Sequence, residues 1–491
     1  MKARILIIMS VAFCSVAICH AQKIDRSRER SSMDEFVNSI RQDFDNFRQE
    51  SLAEFAEFLR DPWKEFKGCD PIPEPKPEPV PPVIWDENSC PIKNKPIIID
   101  EEIGPVITEP KPQPVEPIEE VPVVNPKYVD VTYFGTTDKV RLDTSSLPRL
   151  RSVSEESVAN MVEALSTDEI ENLIFDCLTI RDKRKLSDWA YLQLLNKVSE
   201  EAYPDKFSES QVFLGYIFMM SGYKMRFATD GANIYMLYAS EHRLYNVLYY
   251  RSEGNDLLYS LTQLPSNLRI SSASYPYERS LSLLISTSQD FEQNRSTPRV
   301  ITSKRYPDIS IEVDVNKNLL DFYSTYPSSE VNGNMMTRWA MYANTPMESQ
   351  IASKLYPYFK DIFKGKTELE AVSILLNMVQ TGFQYGYDDE IWGHDRAFFA
   401  EETFYYPKCD CEDRSILFTR LVRDVLGLNC ILIYYPGHLA AAVEFSDEVE
   451  GDYIVLSGKK YTITDPTYIG APIGATMPKM DNATAKAILL N

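Results

Sequence analysis

The stretch YYPKCDCEDRSILFTRLVRDVLGL, Tyr405–Leu428, decides the fold of this chain. Two cysteines, Cys409 and Cys411, precede an apolar pattern with helical spacing that predicts a helix from near Glu412 to Gly427. A thiol at the N-terminal end of a helix is favoured as a nucleophile, because the helix dipole lowers its pKa below the free value of about 8.5. Cys411 is therefore the candidate nucleophile and Cys409 the alternative, while small buried structural cysteines are the simpler interpretation of both.

A nucleophilic cysteine needs a base, and the sequence offers His438 in PGHLAAAVEF, at the start of a predicted strand lined with small residues. Two strands later, YTITDPTY ends a strand at Asp465, whose carboxylate would orient the imidazole from a neighbouring strand. His394, on a predicted loop before the cysteines, is the rival base or a pocket wall. Trp392 and Glu402 are further candidates to line the pocket.

Other parts of the site follow from general chemistry. The backbone N–H of Cys411 is expected to donate to an oxyanion, whereas the second donor cannot be identified from the sequence. Asp413 is expected to cap the first helical turn rather than to take part in catalysis. Paired cysteine and histidine spacings and glycine-rich phosphate loops do not occur, so neither a metal nor a cofactor is predicted.

The order of helix with cysteine, strand, strand with histidine and strand with aspartate resembles the core of the transglutaminase-like superfamily, which has a papain-like fold. The resemblance covers residues 345–475 and includes the run-in ELEAVSILLNMVQTGFQYGYDDE, which is similar to the segment before the family's cysteine. It implies that Cys411 is the nucleophile, His438 the base and Asp465 the orienting acid. The family usually has a glycine shortly before the cysteine, where this chain has the residues 408–410, Lys-Cys-Asp.

The chemistry that the resemblance implies is acyl transfer through a thioester, on a peptide or side-chain amide of a protein or peptide substrate. Hydrolysis is the expected outcome, because water competes unless a shaped amine site excludes it. Amine transfer, as in protein cross-linking, is the alternative acceptor reaction. The rival class is a non-catalytic binding or scaffold protein that uses the papain-like fold as a groove.

The net charge restricts the possible partners of the chain, and the N-terminal residues indicate its location. The net charge of −21 over 491 residues argues against a nucleic-acid partner, which needs clustered lysine and arginine. Residues 1–21 read as a signal peptide, so we expect a periplasmic, cell-surface or secreted protein. A lipoprotein acylated at Cys14 or Cys19 is the alternative. Later segments lack the apolar length of a spanning helix.

Two segments precede the folded part. Residues 22–66 form an amphipathic helical segment, with a helix over 33–61 that either packs on the rest or docks a partner or a second copy. Residues 67–126 hold sixteen of the 31 prolines, which predicts a semi-rigid polyproline-II spacer. Cys69 and Cys90 lie in this segment and are a candidate disulfide.

The fold class expected is α+β, with a middle α+β domain at 127–300 and a transglutaminase-like domain at 301–491. Setting Gly222 on Gly427 makes a helix, a glycine and two strands coincide in the two domains. Residues 190–255 are therefore a candidate degenerate copy of the catalytic fold.

In that alignment Lys206 takes the place of Cys411, and Asn233 takes the place of His438. The copy would have no triad and would instead help to form a cleft. A different strand order within residues 208–252 would exclude it.

Overall fold

The fold is described from a computed structural model. It describes residues 26–76, 79–86, 94–99, 102–106, 111–115 and 117–491, with only the backbone for many of the residues from 26 to 45. The predicted signal peptide, the candidate lipid-bearing cysteines and Cys90 of the candidate disulfide lie outside these residues. None of the helices described is long and apolar enough to cross a membrane.

The helices follow the apolar periodicity of the sequence, and their first turns are capped by side chains. The helix predicted over 33–61 is α1, and α9 begins with a capping box between Thr367 and Glu370. The helices are α1 Arg26–Arg60, α2 Glu155–Ala164, α3 Asp168–Lys183, α4 Asp188–Ala202, α5 Phe207–Met220, α6 Lys317–Ser324, α7 Thr337–Asn344, α8 Ser349–Ile362, α9 Glu368–Gly382, α10 Asp388–Ile391, α11 Ala400–Tyr405 and α12 Cys411–Leu421.

Strands occupy much of the remaining chain. A π-helical turn, Val422–Leu426, extends α12, and a 3₁₀ turn lies at Asn482–Thr484. The strands are β1 Lys64–Lys67, β2 Pro96–Ile97, β3 Glu102–Ile103, β4 Tyr128–Tyr133, β5 Thr136–Arg141, β6 Met225–Thr229, β7 Ile234–Ser240, β8 His242–Leu244, β9 Tyr250–Arg251, β10 Leu257–Tyr259, β11 Asn267–Ile270, β12 Arg299–Thr302, β13 Ser310–Val313, β14 Ser329–Val331, β15 Gln384–Tyr385, β16 Lys408–Cys409, β17 Cys430–Tyr435, β18 His438–Glu444, β19 Tyr453–Leu456, β20 Lys459–Thr464 and β21 Lys486–Leu489.

Two large sheets dominate this mixed α+β protein, which contains a near-closed antiparallel barrel and a curled half-barrel sheet. The predicted α+β class is confirmed. One sheet has the order β1-β11-β6-β7-β10-β9, and the other has the order β2-β19-β20-β18-β17-β21-β3. Helix α5 packs on β7 and helix α12 packs on β18. Strand β18 is buried over almost its whole length, which explains its run of small apolar residues.

The two sheets share one strand order. The strands β9, β10, β7, β6 and β11 follow one another as β19, β20, β18, β17 and β21 do in the second sheet. In each sheet a glycine with positive φ joins the packed helix to the next strand, Gly222 at +95° and Gly427 at +69°. The strand order thus does not exclude the predicted copy, in which Lys206 precedes α5 and Asn233 precedes β7.

The regions predicted as separate domains, 127–300 and 301–491, lie in one compact unit, Leu52–Asn491; the other unit is Met1–Ser51. One cluster of buried apolar side chains includes Phe55 of α1 and members of both regions. Strand β14 of the second region also pairs with β8 of the first. The predicted boundary at residue 300 therefore does not separate two independent cores.

The proline-rich segment lies along the folded part wherever it is described. The segment supplies both edge strands of one large sheet, because β2 pairs with β19 and β3 pairs with β21. Strand β1, which ends where the segment begins, pairs with β11 at the edge of the other sheet. Side chains of the segment also make contacts: Lys76 pairs with Asp389, and Lys111 Nζ donates to the carbonyl of Leu186 at 2.6 Å. Over the described residues it is not the free-standing spacer that its composition predicts, because sheet edges offer unpaired N–H and C=O groups.

Candidate active site

Helix α12 carries Cys411 at its first position, and the local sequence explains why it begins there. Asp410 is the N-cap, and its carboxylate accepts from the backbone N–H groups of Glu412 at 3.0 Å and Asp413 at 3.3 Å. Asp413 in turn accepts from the backbone N–H of Asp410 at 3.0 Å, which completes a capping box. Asp413 thus takes part in the cap, as predicted, although Asp410 holds the N-cap position.

His438, the first residue of β18, meets Asp465, the residue that directly follows the neighbouring strand β20. The Nε2 atom of His438 lies 2.8 Å from Oδ2 of Asp465, and the two residues are 2% and 3% exposed. The other carboxylate oxygen accepts from the backbone N–H groups of Thr467 and Tyr468, which fixes its orientation. The Nδ1 atom of His438 is buried and has no partner among the described residues. Nδ1 is therefore the nitrogen available to a nucleophile.

The thiol of Cys411 lies beside the first residues of β18. The backbone N–H of Leu439, the residue after His438, donates to this sulfur. Ser415, one turn along α12, donates from Oγ to the carbonyl of Leu439 at 2.9 Å. These bonds hold the start of α12, which carries Cys411, against the start of β18, which carries the histidine of the His438–Asp465 pair.

The pKa of Cys411 differs from the expectation for a helix N-terminus. The residue is only 7% exposed, and burial raises the pKa of its thiol well above the ordinary range. The neighbouring carboxylates of Asp410 and Glu412 raise it further, whereas the N–H of Leu439 lowers it. In this closed arrangement the cost of desolvating a thiolate exceeds the stabilisation expected from the helix.

Cys409, the alternative nucleophile, lies outside the helix in the short strand β16. Its side chain is buried, and its thiol faces the carbonyl of Gln384 at a sulfur–oxygen distance of 3.7 Å. Burial raises the pKa of this thiol. Because this thiol faces Gln384 on β15 and not the start of β18, Cys409 is the poorer candidate.

A buried cluster of carboxyl groups adjoins the nucleophile. Asp388, Asp410 and Glu412 each present an oxygen within 4.8 Å of the others. Burial, with Glu412 nearby, raises the pKa of Asp388 to about 8, and burial holds the pKa values of Asp410 and Glu412 well above their ordinary range. The guanidinium of Arg338 lies 3.8 Å from Glu412. Carboxyl groups this close together can share protons, and their oxygens are of the type that binds hard cations.

His394, the rival base, and Glu402, a predicted pocket residue, line a different cavity of about 230 Å³. The lining of this cavity includes Arg338 but not Cys411. His394 is exposed, with Nδ1 3.0 Å from the carbonyl oxygen of Trp392. Glu402 is buried and paired with an arginine. The structure therefore brings neither His394 nor Glu402 to the candidate nucleophile.

Tyr385 is a residue that sequence reasoning missed. Its hydroxyl is buried and has no partner among the described residues. Tyr385 pairs with Cys409 in the parallel pair of β15 and β16, two residues before the nucleophile. Burial raises the pKa of its hydroxyl, and the charges of Cys411 and Asp410 add to the effect. The available signal was its position in the QYGYDDE run-in, between α9 and the cysteines.

The proline-rich segment covers one side of the site. The N–H of Val80 donates to the carbonyl of Gly437 at 2.9 Å, immediately before the histidine. The N–H of Ile469 donates to the carbonyl of Val83, and the N–H of Trp85 donates back to the carbonyl of Ile469, both at 2.9 Å. The segment is thus bonded to the loops that carry two of the three predicted residues.

Comparisons of the chain with protein-family models, with curated proteins and with solved structures gave no match. The function of the site is therefore inferred from its own geometry and chemistry.

Proposed function

We propose that the chain is a cysteine enzyme of the transglutaminase-like type that hydrolyses peptide or side-chain amides. The observation that carries the proposal is the buried 2.8 Å bond between His438 Nε2 and Asp465 Oδ2, beside Cys411 at the start of a helix. A histidine held by a carboxylate on one nitrogen presents the other to a nucleophile in the correct tautomer. The predicted export through residues 1–21 and the peptide or protein substrate belong to the same proposal.

The first half-reaction forms a thioester. The proton of Cys411 passes to Nδ1 of His438, and the sulfur attacks the amide carbonyl carbon. The tetrahedral oxyanion then collapses, the C–N bond breaks, and His438 returns the proton to the leaving amine. Asp465 stays ionised throughout and stabilises the imidazolium that forms.

The second half-reaction releases the acyl group. Water loses a proton to His438 as its oxygen attacks the thioester carbon, the C–S bond breaks, and the sulfur takes the proton back. One water is consumed for each amide cleaved. An amine in place of water would give the cross-linking reaction instead, and hydrolysis is preferred because a shaped amine site would be needed to exclude water.

Two donors are proposed to stabilise the oxyanion. The backbone N–H of Cys411 is at the first position of α12, where helical N–H groups have no intrahelical acceptor. The hydroxyl of Tyr385 is the second, because it is buried close to the thiol without a partner among the described residues. A donor left unsatisfied in the resting site can bond to an oxygen that appears only during the reaction.

We also infer that the sheet from β6 to β11 is a degenerate copy of the catalytic fold. Its strand order matches that of the sheet with His438, and each sheet is covered by a helix that ends at a positive-φ glycine. Lys206 and Asn233 stand where the cysteine and the histidine of a triad would be. The copy would be structural and would help to frame the cleft.

A non-catalytic groove protein is the second candidate. The observation that favours it is the burial of Cys411, which raises the pKa of its thiol and reduces its reactivity. In that case the triad geometry would be retained only as a packed core.

Iodoacetamide alkylation from pH 5 to 9, with sites mapped by mass spectrometry, separates the two candidates. Selective labelling of Cys411 that is lost in His438→Ala would support the thiolate–imidazolium pair, with Cys409 as the internal comparison. Labelling of Cys411 that is unaffected by His438→Ala would identify an ordinary thiol and favour the groove protein.

A further inference from the structure

We propose that residues 79–86 occupy the groove in which an extended peptide substrate binds, so that the chain inhibits its own site until this segment leaves. The inference rests on the proposed function and specifies its substrate class and its regulation. It is drawn from the path of the segment, from its main-chain bonds and from the apolar surface beneath it.

The chain is anchored before the segment, at Glu74, on the side of the nucleophile. Glu74 forms a buried ion pair with Arg338 at 3.0 Å and also bonds to Ser328. Arg338 lies 3.8 Å from Glu412, the residue after Cys411. Breaking a buried, hydrogen-bonded ion pair from one side leaves an unpaired buried charge, so Glu74 is a firm anchor for the chain before the segment.

The segment then passes the histidine and the aspartate. Val80 bonds to Gly437, one residue before His438, and Val83 and Trp85 bond to Ile469, which follows Asp465 on the same loop. These are main-chain bonds, of the kind by which extended peptides add to an exposed protein edge. Another extended chain could make the same three bonds whatever its sequence.

The side chains of the segment pack on an apolar surface. This surface would favour extended peptides with apolar side chains over other peptides. Val80, Val83 and Trp85 pack on a small cluster separate from the main core. The cluster consists of Tyr468, Ala471, Ala475 and Met477, and Met480 packs against it as well. The prolines at 79, 81 and 82 favour the extended polyproline-II conformation before binding, so little conformational entropy is lost on docking.

The substrate class follows from these contacts. The groove takes an extended polypeptide with apolar or aromatic side chains spaced as in PVPPVIWD, the sequence of residues 79–86. Substrate and segment compete, since both need the carbonyl of Gly437 and the two main-chain groups of Ile469. In this arrangement Cys411 is 7% exposed and His438 is 2% exposed, so neither is open to a substrate.

The test measures the alkylation rate of Cys411 by iodoacetamide in the full chain. Trp85→Ala removes an apolar contact, and Val80→Pro removes the N–H that donates to Gly437. Val124→Ala is the matched control, because Val124 lies on the same proline-rich segment and is 89% exposed. We expect both groove variants to label Cys411 at least about tenfold faster than wild type, and the control to leave the rate unchanged.

A peptide arm identifies the groove itself. Added PVPPVIWD should slow the labelling of Trp85→Ala back toward the wild-type rate, whereas a scrambled peptide should not. Equal rates in wild type, Trp85→Ala and Val80→Pro would overturn the inference. The double variant Trp85→Ala with His438→Ala distinguishes a failure of the autoinhibition proposal from a failure of the proposed enzyme function. If this variant labels as fast as Trp85→Ala, the result counts against the triad and not against the covering of the site by residues 79–86.

Discussion

The imidazole of His438 and the carboxylate of Asp465 form a buried hydrogen bond of 2.8 Å between Nε2 and Oδ2. Because the bond uses Nε2, the unpartnered Nδ1 is the nitrogen that can take a proton from a thiol. Asp465, at the end of the neighbouring strand, therefore sets the orientation of the imidazole ring. The proposed role of His438 as a base depends on this orientation.

Asp465→Asn should lower the hydrolysis rate by about 10²- to 10⁴-fold, because an amide can hold the imidazole in the wrong tautomer and cannot stabilise its cation. Peptidase or amidase assays on the full chain, with the groove freed if the wild type is inactive, check this. Asp447→Asn, an exposed change of the same kind, is the control. An Asp465→Asn variant as active as the control would remove Asp465 from the mechanism.

Cys411→Ala should abolish acyl transfer, whereas Cys409→Ala should retain it. Both thiols are buried, but only Cys411 lies beside His438, since its sulfur accepts from the N–H of Leu439. Removing the buried sulfur of Cys409 should cost about 1 kcal/mol of unfolding free energy and leave kcat nearly unchanged. The measurement is kcat beside urea denaturation of each variant. Activity lost with Cys409 and kept without Cys411 would reverse the assignment.

Tyr385→Phe should reduce kcat by about 10- to 10³-fold with a small effect on KM, as expected for an oxyanion donor. The phenyl ring keeps the packing and removes only the hydroxyl that has no partner among the described residues. Tyr387→Phe is the matched control, because its ring contacts that of Tyr385 at a centroid distance of 5.4 Å. Equal losses in the two variants would indicate a packing effect and not a donor.

Gly222→Ala and Gly427→Ala should differ in stability. Both glycines have positive φ, but a Cβ at Gly222 would lie 2.0 Å from the backbone oxygen of Gln113, while a Cβ at Gly427 meets open space. We expect losses of about 3 kcal/mol or more at Gly222 and about 1 kcal/mol at Gly427 in denaturant unfolding. Similar losses at both sites would mean that the segment with Gln113 does not pack on the sheet.

Glu401→Gln should stabilise the protein at pH 8 and have little effect at pH 4. Burial raises the pKa of Glu401 to about 7, so the folded state keeps a proton that the unfolded chain releases above about pH 4.3. The stability from this group is therefore complete below that pH and is lost as the pH rises to about 7.

Glutamine imitates the protonated carboxyl, so the gain at pH 8 should be on the order of 2 kcal/mol. The gain is measured as the difference in unfolding free energy between Glu401→Gln and wild type at each pH. Glu390→Gln, an exposed change, is the control and should show no such trend. A Glu401→Gln effect that is the same at pH 4 and pH 8 would contradict the raised pKa.

Local patterns predicted the elements that carry the site. The apolar spacing after Cys411 and the glycine at 427 predicted α12 and its end, and the small apolar residues after His438 and the strand that ends at Asp465 predicted β18 and β20. Periodicity is a property of neighbouring residues in the sequence, so it can be read without knowing how the rest of the chain packs. The order of these elements also indicated Cys411, His438 and Asp465 as the candidate residues of the site. Their distances from one another depend on how the strands pair in the sheet.

Other features could not be predicted, because they depend on residues distant in sequence. The pKa of Cys411 was expected to fall, yet burial under other parts of the chain and the carboxylates of Asp410 and Glu412 raise it. The proline-rich segment was predicted to stand free, since nothing in its composition shows that Val80 meets Gly437.

The sequence by itself determined the α+β class, the helix that begins at the cysteines and the strands of the histidine and the aspartate, since each depends on local periodicity and capping. Only the tertiary structure decided the bond between His438 and Asp465, the shared core of the two predicted domains and the covering of the site. Desolvation and main-chain pairing arise between segments hundreds of residues apart, such as Val80 and Gly437, and so become visible only once the chain has folded.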